Sequence, residues 1–294
     1  MYEPGTGRLS RSHTVPRMTP SGMSLYGVAV DASQRAYVVD MNGRIIRIDP
    51  VNGTQEVYAT FPGAVAGMST MPFDLVFDDA GFAYVTDQNL AAIWRIPPGG
   101  GEPQLWFQDT RLFGYLFGAA GIRIDPLGRQ LYFTVALSQH PATARAGIVY
   151  RLPLVERPSA AQLQEVFRYP AQSLPMGIAF GASGKLYVAL AGPDQISILR
   201  SDGEQPQEER RFPSPEENGR RDVPYDTPLG VAFDGCGSLL VTNSNAFSAP
   251  TPAHWAVFDV FVGDTGAPLA RPAIGPKTAA PTSSKVGCRS ARSR

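Results

Sequence analysis

Residues 26–40 read YGVAVDASQRAYVVD, and the same plan recurs four times further along the chain. In each copy an apolar run leads into a short polar turn, and a second apolar run follows. Two apolar runs joined in this way are typical of a β-hairpin. The other copies are FDLVFDDAGFAYVTD at 73–87, AGIRIDPLGRQLYFTV at 120–135, MGIAFGASGKLYVAL at 176–190 and LGVAFDGCGSLLVTN at 229–243.

The copies are spaced regularly. Each continues with a third apolar run, such as IIRID at 45–49, and a weaker fourth, such as QEVYATF at 55–61 or APLARPA at 267–273. Four strands repeated about every fifty residues are the sequence mark of a propeller blade. We therefore predict an all-β propeller of four-stranded blades, because a β-sandwich of similar hairpins would show no fixed period. Successive separations are 47, 47, 56 and 53 residues between Val28, Leu75, Ile122, Ile178 and Val231.

The two ends of the chain differ from the repeats. Residues 2–7 align with 48–53, so the chain begins inside a blade, and residues 8–15 are predicted to be an outer strand without its three inner partners. Five complete copies and one outer strand predict a six-bladed ring with an incomplete first blade, or an unusual five-bladed one, over residues 1–274. Residues 275–294 are basic and poor in apolar residues, which predicts a disordered tail.

Composition excludes several classes of protein. The 26 Lys and Arg balance 26 Asp and Glu, so the basic face of a nucleic-acid-binding protein is not expected. No apolar run is long enough to span a membrane. The first residues lack the apolar core of a signal peptide, and a leader upstream of Met1 stays open, so the compartment is undetermined. Cys236 and Cys288 form no CxxC pair, and we expect no bridge between them because Cys288 lies in the tail.

These residues resemble the senescence-marker-protein/gluconolactonase family of six-bladed propellers over residues 1–274. The resemblance is carried by the x-G-[VI]-A-[FV]-D strand starts, the YVVD and YVTD second strands, and the closing LLVTNSN at 239–245 and HWAVFDVFVGDTGAPLARP at 254–272. NHL and YWTD propellers and strictosidine-synthase-like proteins share parts of this pattern. The resemblance implies a divalent cation such as Ca²⁺ or Zn²⁺ on the axis, held by Asn, Asp and Glu, which activates water to open a lactone.

The positions that would hold the family's metal carry other residues here. The family's P-N-D corresponds to Pro72-Phe73-Asp74, its P-N-G to Ala119-Ala120-Gly121, and its D-G to Met176-Gly177. Asp74 is the carboxylate that remains, which makes it the candidate catalytic acid or base. Apolar groups cannot replace the water shell of a hard cation, so we expect no metal cofactor.

A ligand site is predicted at the centre of the ring. Ligand sites are concave and mostly apolar, with a few placed polar groups. The second strands end on the face where the first strands start, and the residues at three of these ends are Asp40, Asp87 and Asn243. There they would orient a ligand or accept hydrogen bonds from backbone amides of the turn. His140 and His254 lie in insertions that should emerge on that face. The residues ahead of the strand starts would either line a pocket or plug the channel: Tyr26, Phe73, Ala120, Met176 and Leu229.

Three functions stay open on these residues, and all of them place a small organic molecule at the axis. The first is hydrolysis of a lactone or ester, with a metal held by other ligands or, as we favour, without the family's metal. The second is a metal-free cyclase or isomerase that works by positioning a reactive substrate. The third is a non-catalytic binding or scaffold propeller, because this fold does not imply one function.

Overall fold

The computed structural model of the chain describes residues 12–16, 25–200, 206–249 and 251–275. Within these ranges five antiparallel sheets follow one another, and the strands of each sheet pair in chain order. Four sheets have four strands and the fifth has three. The predicted all-β propeller with repeated blades is confirmed.

The strand bounds follow the five sequence copies. The first blade comprises β1 (Leu25–Val30), β2 (Ala36–Asp40), β3 (Arg44–Ile48) and β4 (Gln55–Thr60), and a hairpin of β5 (Ala64–Val65) and β6 (Met68–Ser69) follows it. The second blade comprises β7 (Pro72–Phe77), β8 (Ala83–Asp87), β9 (Ala92–Ile96) and β10 (Gln104–Gln108). The third comprises β11 (Ala119–Ile124), β12 (Gln130–Val135), β13 (Ala146–Pro153) and β14 (Gln164–Ala171).

The fourth and fifth blades complete the series. The fourth comprises β15 (Pro175–Phe180), β16 (Leu186–Leu190), β17 (Gln195–Arg200) and β18 (Gln207–Phe212), and the fifth comprises β19 (Pro228–Phe233), β20 (Ser238–Asn243) and β21 (Ala256–Phe261). One short α-helix, α1 (Pro215–Gly219), precedes the fifth blade. Single 3-10 turns occupy Thr110–Leu112, Pro141–Thr143, Ala160–Gln162 and Pro252–His254.

Neighbouring blades pack face to face through a repeated aromatic pair. A tyrosine of one second strand meets, edge to face, the phenylalanine that ends the first strand of the next blade. The ring centroids of Tyr37 and Phe77 are 4.9 Å apart, and those of Tyr132 and Phe180 are 5.0 Å apart. Such pairs add about 0.5–1.5 kcal/mol to the burial of the rings themselves. The alternation of the strands thus gives each blade an apolar face toward each neighbour.

The first blade has one face without a neighbour among the described residues. Its Val28 is 56% exposed. Inner strands pack side by side from β1 through β7, β11 and β15 to β19, and no comparable packing joins β19 back to β1 within the described residues. The described ring is therefore open. The positions equivalent to Val28 in the other blades are all buried: Leu75, Ile122, Ile178 and Val231.

The fifth blade borders the same opening with its opposite face. Val257 in β21 is 53% exposed, and Phe261 is more exposed still. Among the described residues the hydroxyl of Thr242 donates within its own sheet, to Gly230 O, whereas the equivalent Thr134 reaches Met176 O of the next blade at 2.8 Å. The positions equivalent to Val257 are fully buried in the other blades: Ile45, Ile93, Val149 and Ile196.

The fourth strand predicted at 267–273 does not form. Pro268 and Pro272 lack the N–H groups that a strand in a ladder would donate. Instead, residues 264–275 cross the face that carries the turns between first and second strands, and we call this segment the strap. Ala267 N donates to Phe180 O at 2.9 Å in the fourth blade, and Ala32 N donates to Pro272 O at 3.1 Å in the first.

The N-terminal prediction is wrong where the structure describes it. Residues 12–16 form no strand. They lie against the first blade through side chains, since Gln55 Nε2 donates to Thr14 O at 2.8 Å and Arg44 donates to Pro16 O. Residues 1–11 of the predicted partial blade, and the predicted disordered tail from residue 276 onward, lie outside the described residues.

Two further features bear on the sequence expectations. Within the described residues, no helix is long and apolar enough to cross a membrane. Cys236 is disulfide-bonded. This is contrary to our expectation that the two cysteines of the chain form no bridge. The other cysteine, Cys288, lies outside the described residues.

Candidate functional site

The starts of the five inner strands converge on one apolar cluster, which we call the axis cluster. Phe73, Ala120 and Met176 are buried in it, while Tyr26 and Leu229, beside the opening of the ring, are half-buried. The rings of Tyr26 and Phe73 are 4.6 Å apart. At this depth the centre of the ring is filled by hydrocarbon. We call the face on which the first strands begin and the second strands end the loop face; it lies opposite the turns crossed by the strap. The further members of the axis cluster are Met41, Ala136 and Ala191, with Met71, Phe117 and Leu174 packed against them.

Glycine at the strand starts lets adjacent blades approach closely around the axis. A Cβ on Gly121 would collide with Met176 O, and one on Gly177 would come within 2.5 Å of Leu229 O. The repeated Gly of the sequence is therefore a packing requirement of the ring rather than a ligand-binding motif.

Asp74, the candidate catalytic residue, joins the second blade to the third. Its Oδ2 lies 2.8 Å from Arg123 Nη1 and accepts from Ile122 N at 3.2 Å, and its Oδ1 accepts from Leu75 N at 2.9 Å. The carboxylate is buried and its charge is balanced by the guanidinium. In this arrangement both oxygens are already hydrogen-bonded within the protein.

The polar residues that end the second strands contact their own turns. Asp40 accepts from Asn42 N at 3.0 Å and from Arg44 Nε at 2.8 Å. Asp87 accepts from Trp94 Nε1 and Leu90 N, each at 3.0 Å. Burial raises the pKa of Asp87, although these N–H donors act in the opposite direction.

Asn243 holds two loops of the fifth blade together. Its Oδ1 accepts from Asp226 N at 2.7 Å, and its Nδ2 donates to His254 O at 2.7 Å and to Pro224 O at 3.0 Å. The side chain thus fixes the segment ahead of β19 against the segment ahead of β21.

The axis residues do not fit a divalent cation. The side chains of the axis cluster offer no carboxylate, amide or imidazole donor, and Asp74 is paired with Arg123. Among the described residues, no group of three or more His, Cys, Asp and Glu side chains comes together in a way that would hold a metal. A hard cation needs several oxygen ligands at one point, and this donor set does not supply them.

His140 lines an open groove on the loop face. The groove has a volume of about 510 Å³ and lies between the hairpin that follows the first blade and the insertion of the third. Backbone hydrogen bonds hold its floor, with Gln139 N donating to Phe113 O at 2.9 Å. It combines apolar walls with hydrogen-bonding groups: Met68, Thr110, Phe113, Gln139, His140 and Pro141.

A second polar cluster on the loop face includes a residue that the sequence interpretation missed. Asp226 accepts from Ser248 Oγ at 3.0 Å and from Asn245 Nδ2 at 2.6 Å, and its Oδ2 lies 2.8 Å from His254 Nδ1. Burial by itself would raise the pKa of Asp226, but the hydrogen bonds from His254, Ser248 and Asn245 hold it below the ordinary value. The available signal was an acidic residue just ahead of a strand start, opposite a loop rich in Asn and Ser.

No protein-family model matches this sequence, and no curated protein matches it either. The fold is similar to that of regucalcin from Agrobacterium tumefaciens, a calcium-binding protein, with a TM-score of 0.61 and 18% identity over 88% of this chain and 81% of that one. It is also similar to a gluconolactonase from Xanthomonas campestris, with a TM-score of 0.53 and 20% identity over 75% of this chain and 69% of that one. The resemblance to gluconolactonase propellers is confirmed at the level of fold.

A third similar structure is virginiamycin B lyase from Staphylococcus aureus, in a catalytically inactive variant with one histidine replaced by alanine, bound to quinupristin. The TM-score is 0.52 and the identity is 19% over 77% of this chain. The chain spans 64% of the length of that lyase. The likeness again concerns the fold.

Proposed function

We propose that this protein binds a small, largely apolar lactone or ester on the loop face above the axis cluster and hydrolyses it without a divalent cation. The observation that carries the proposal is the convergence of five apolar strand starts at one centre, with ionisable side chains placed around it. An apolar floor with a few polar groups at its rim is the usual composition of a small-molecule site. The lactone class is suggested by the gluconolactonase that shares the fold.

The residues nearest to solvent define where the ligand would sit. Phe247 is about half exposed, and its ring centroid lies 5.6 Å from that of Phe117, which packs on the axis cluster. Leu229 and Tyr26 are half-buried, as is Phe117. An apolar ligand resting on these side chains would reach the groups of the fifth blade from one side and the His140 groove from the other.

Hydrolysis of γ-decanolactone and 4-nitrophenyl butyrate in buffer containing EDTA tests the proposal. We expect turnover that added Ca²⁺, Zn²⁺ or Mn²⁺ does not raise. Replacing Phe247 by Ala should raise KM about tenfold, because roughly 1–1.5 kcal/mol of aromatic contact is lost. The matched control is Leu127→Ala, a more exposed side chain in a turn at the opposite end of the strands. Turnover that requires a metal, or equal KM values in both variants, would contradict the proposal.

A second candidate function is non-catalytic ligand or partner binding. It is favoured by the filling of the axis, since Ala120 and Met176 are fully covered by neighbouring side chains. Stabilisation of the protein against heat by γ-decanolactone, with no hydrolysis of either probe, is the result that this candidate predicts.

We also propose that the complete ring contains a sixth sheet between the first and fifth blades. The support is the pair of exposed apolar faces around Val28 and Val257, together with the Thr242 hydroxyl that has no acceptor in a next blade among the described residues. A sheet of the same kind would bury both faces and restore the contacts made at the four other interfaces. It would also cover the exposed sides of Tyr26 and Leu229 and so close the ligand site.

A further inference from the structure

The fifth blade carries a histidine–aspartate pair of the kind used in proton transfer. His254 Nδ1 lies 2.8 Å from Asp226 Oδ2, and the two side chains are 25% and 15% exposed. Asp226 lies just ahead of β19, and His254 lies just ahead of β21. Pro228 pairs with Asn243 at this end of the sheet, so both residues emerge on the loop face. The imidazole is therefore more accessible than the carboxylate that holds it.

The surroundings of the pair fix the tautomer of the histidine. The carboxylate of Asp226 also accepts from Ser248 and Asn245, and its lowered pKa keeps it ionised near neutral pH. An ionised carboxylate can only accept hydrogen bonds, so the proton of a neutral His254 resides on Nδ1. Nε2 then carries the lone pair, and it is hydrogen-bonded to no other described residue.

Hydrogen bonds between asparagine side chains and the backbone hold this geometry from both sides. The side chain of Asn243 accepts from Asp226 N and donates to His254 O, each at 2.7 Å. Thr251 N donates to Asn245 Oδ1, which anchors the remaining loop. A catalytic group gains from such support because its orientation does not have to be established during the reaction.

Asp226 lies two residues ahead of β19, the inner strand of the fifth blade, whose Leu229 packs in the axis cluster. Phe247, next to Ser248 in the chain, contacts Phe117 above the cluster, and Leu229 follows Asp226 by three residues. A ligand on the apolar surface described above would therefore place its polar end near the fifth blade.

We propose that His254 is the general base of this hydrolysis, with Asp226 as its positioning residue. The inference rests on the proposed function, because it assigns the proton transfer of that reaction. The nucleophile of such a reaction can be a water molecule instead of a side chain. The nearby Ser248 hydroxyl donates to Asp226 and not to His254, so His254 does not activate it. We therefore assign water as the nucleophile.

The reaction balances with water as the only co-reactant. His254 Nε2 takes a proton from water as the water oxygen bonds to the carbonyl carbon. The resulting tetrahedral intermediate collapses with cleavage of the ring or ester C–O bond. The protonated imidazole then returns its proton to the leaving alkoxide, which gives the hydroxy acid, or the acid and the alcohol, and neutral His254.

Removal of the imidazole tests the assignment. General acid–base catalysis contributes about 10²–10⁴-fold, so His254→Ala should lower kcat for 4-nitrophenyl butyrate at least 100-fold. Added imidazole should restore part of that loss, a response that a loop-stabilising role would not produce. The matched control is His13→Gln, since His13 lies against Gly53 of the first blade, away from the loop face. We expect it to keep wild-type kcat.

The positioning role of Asp226 has its own readout. Asp226→Asn places an amide where the carboxylate held Nδ1–H, so kcat should fall at least tenfold while KM changes less than threefold. Melting temperatures and heat stabilisation by γ-decanolactone, measured on each variant, show whether the fold and the ligand site persist.

The outcomes separate the inference from the function it rests on. Absence of turnover in the wild-type protein overturns the proposed hydrolysis itself. Wild-type turnover that His254→Ala retains overturns only the role of His254. A loss in His254→Ala that imidazole does not restore, together with full activity in Asp226→Asn, also overturns it.

Discussion

Asp87 shows how one carboxylate can organise a whole turn of a blade. It sits at the end of β8, is buried, and accepts from the Trp94 indole and from the backbone N–H groups of Leu90 and Asn89. Met71 N, in the segment that enters the blade, also donates to it. An acid at this point therefore joins β8 to β9, to the turn between them and to the segment that enters β7, which is a sufficient structural reason for its presence.

Replacing Asp87 by Ala should lower the free energy of unfolding by about 3 kcal/mol. Each buried donor left without an acceptor costs roughly 1–3 kcal/mol, and the Trp94 and Leu90 N–H groups both lose theirs. Urea unfolding at neutral pH measures the change. Asp79→Ala, at an exposed acid in the same blade, should stay within about 0.5 kcal/mol of the wild type. A loss below about 1 kcal/mol for Asp87→Ala would contradict this account.

The strap is the element whose role the sequence did not reveal. It leaves the fifth blade, touches the fourth at Phe180, and reaches the first at Ala32. Near its end Ile274 is 3% exposed, packed in the cluster that joins the first two blades. Asp264 at its start accepts from Tyr187 Oη at 3.2 Å. The strap thus connects blades on both sides of the open interface across the turn face.

Truncation of Ile274 to Ala should destabilise the protein by about 2–4 kcal/mol, because a buried branched side chain leaves a cavity. Chemical denaturation, followed by tryptophan fluorescence, measures the effect. Leu269→Ala provides the comparison, since Leu269 belongs to the same strap but is mostly exposed. Equal changes in the two variants would show that the strap does not bind through Ile274.

At the scale of the molecule, the open interface leaves two apolar faces in contact with water. Val28 and Val257 occupy positions that are buried in every other blade. Monomeric proteins rarely expose contiguous apolar patches of this kind unless something binds there. A sixth sheet accounts for both faces at once, because each would regain the contact that the other interfaces make.

Dye binding provides a check on these faces. The 294-residue chain should bind anilinonaphthalene sulfonate, and the double variant Val28→Ser with Val257→Ser should reduce its fluorescence at least about twofold, since apolar area drives this binding. Val51→Ser, in an exposed turn, should leave the signal unchanged. Equal signals from the double variant and the wild type would mean that the faces are covered in solution.

The buried tyrosines make the whole ring sensitive to alkaline pH. Burial raises the pKa of Tyr58, Tyr84, Tyr150 and Tyr225 to about 12. In the unfolded chain these groups lose their protons near pH 10, so the folded state binds more protons above that value. Their contribution to stability is complete below about pH 9. It should decline as pH rises from about 10 to 12, by up to about 1.4 kcal/mol per tyrosine per pH unit.

Urea unfolding at pH 9 and pH 11, with phenolate absorbance as the second signal, measures this decline. Phenolate should appear together with unfolding at pH 11. Ionisation of these tyrosines in a still folded protein near pH 10 would contradict the burial argument.

The sequence by itself determined the propeller, its strand pairs and the apolar character of the axis. These features follow from period-two alternation and a fixed repeat, which are local properties of the chain. The tertiary structure alone decided that Asp74 pairs with Arg123, that residues 267–273 belong to the strap instead of a fourth strand, and that Asp226 meets His254. Asp74 and Arg123 are 49 positions apart, Asp226 and His254 are 28 apart, and Ala267 of the strap is 87 positions from Phe180. No local pattern encodes which partner a side chain finds across such separations. Packing of whole blades against one another selects those partners, because a buried charge or N–H group must be satisfied wherever the ring brings one within reach.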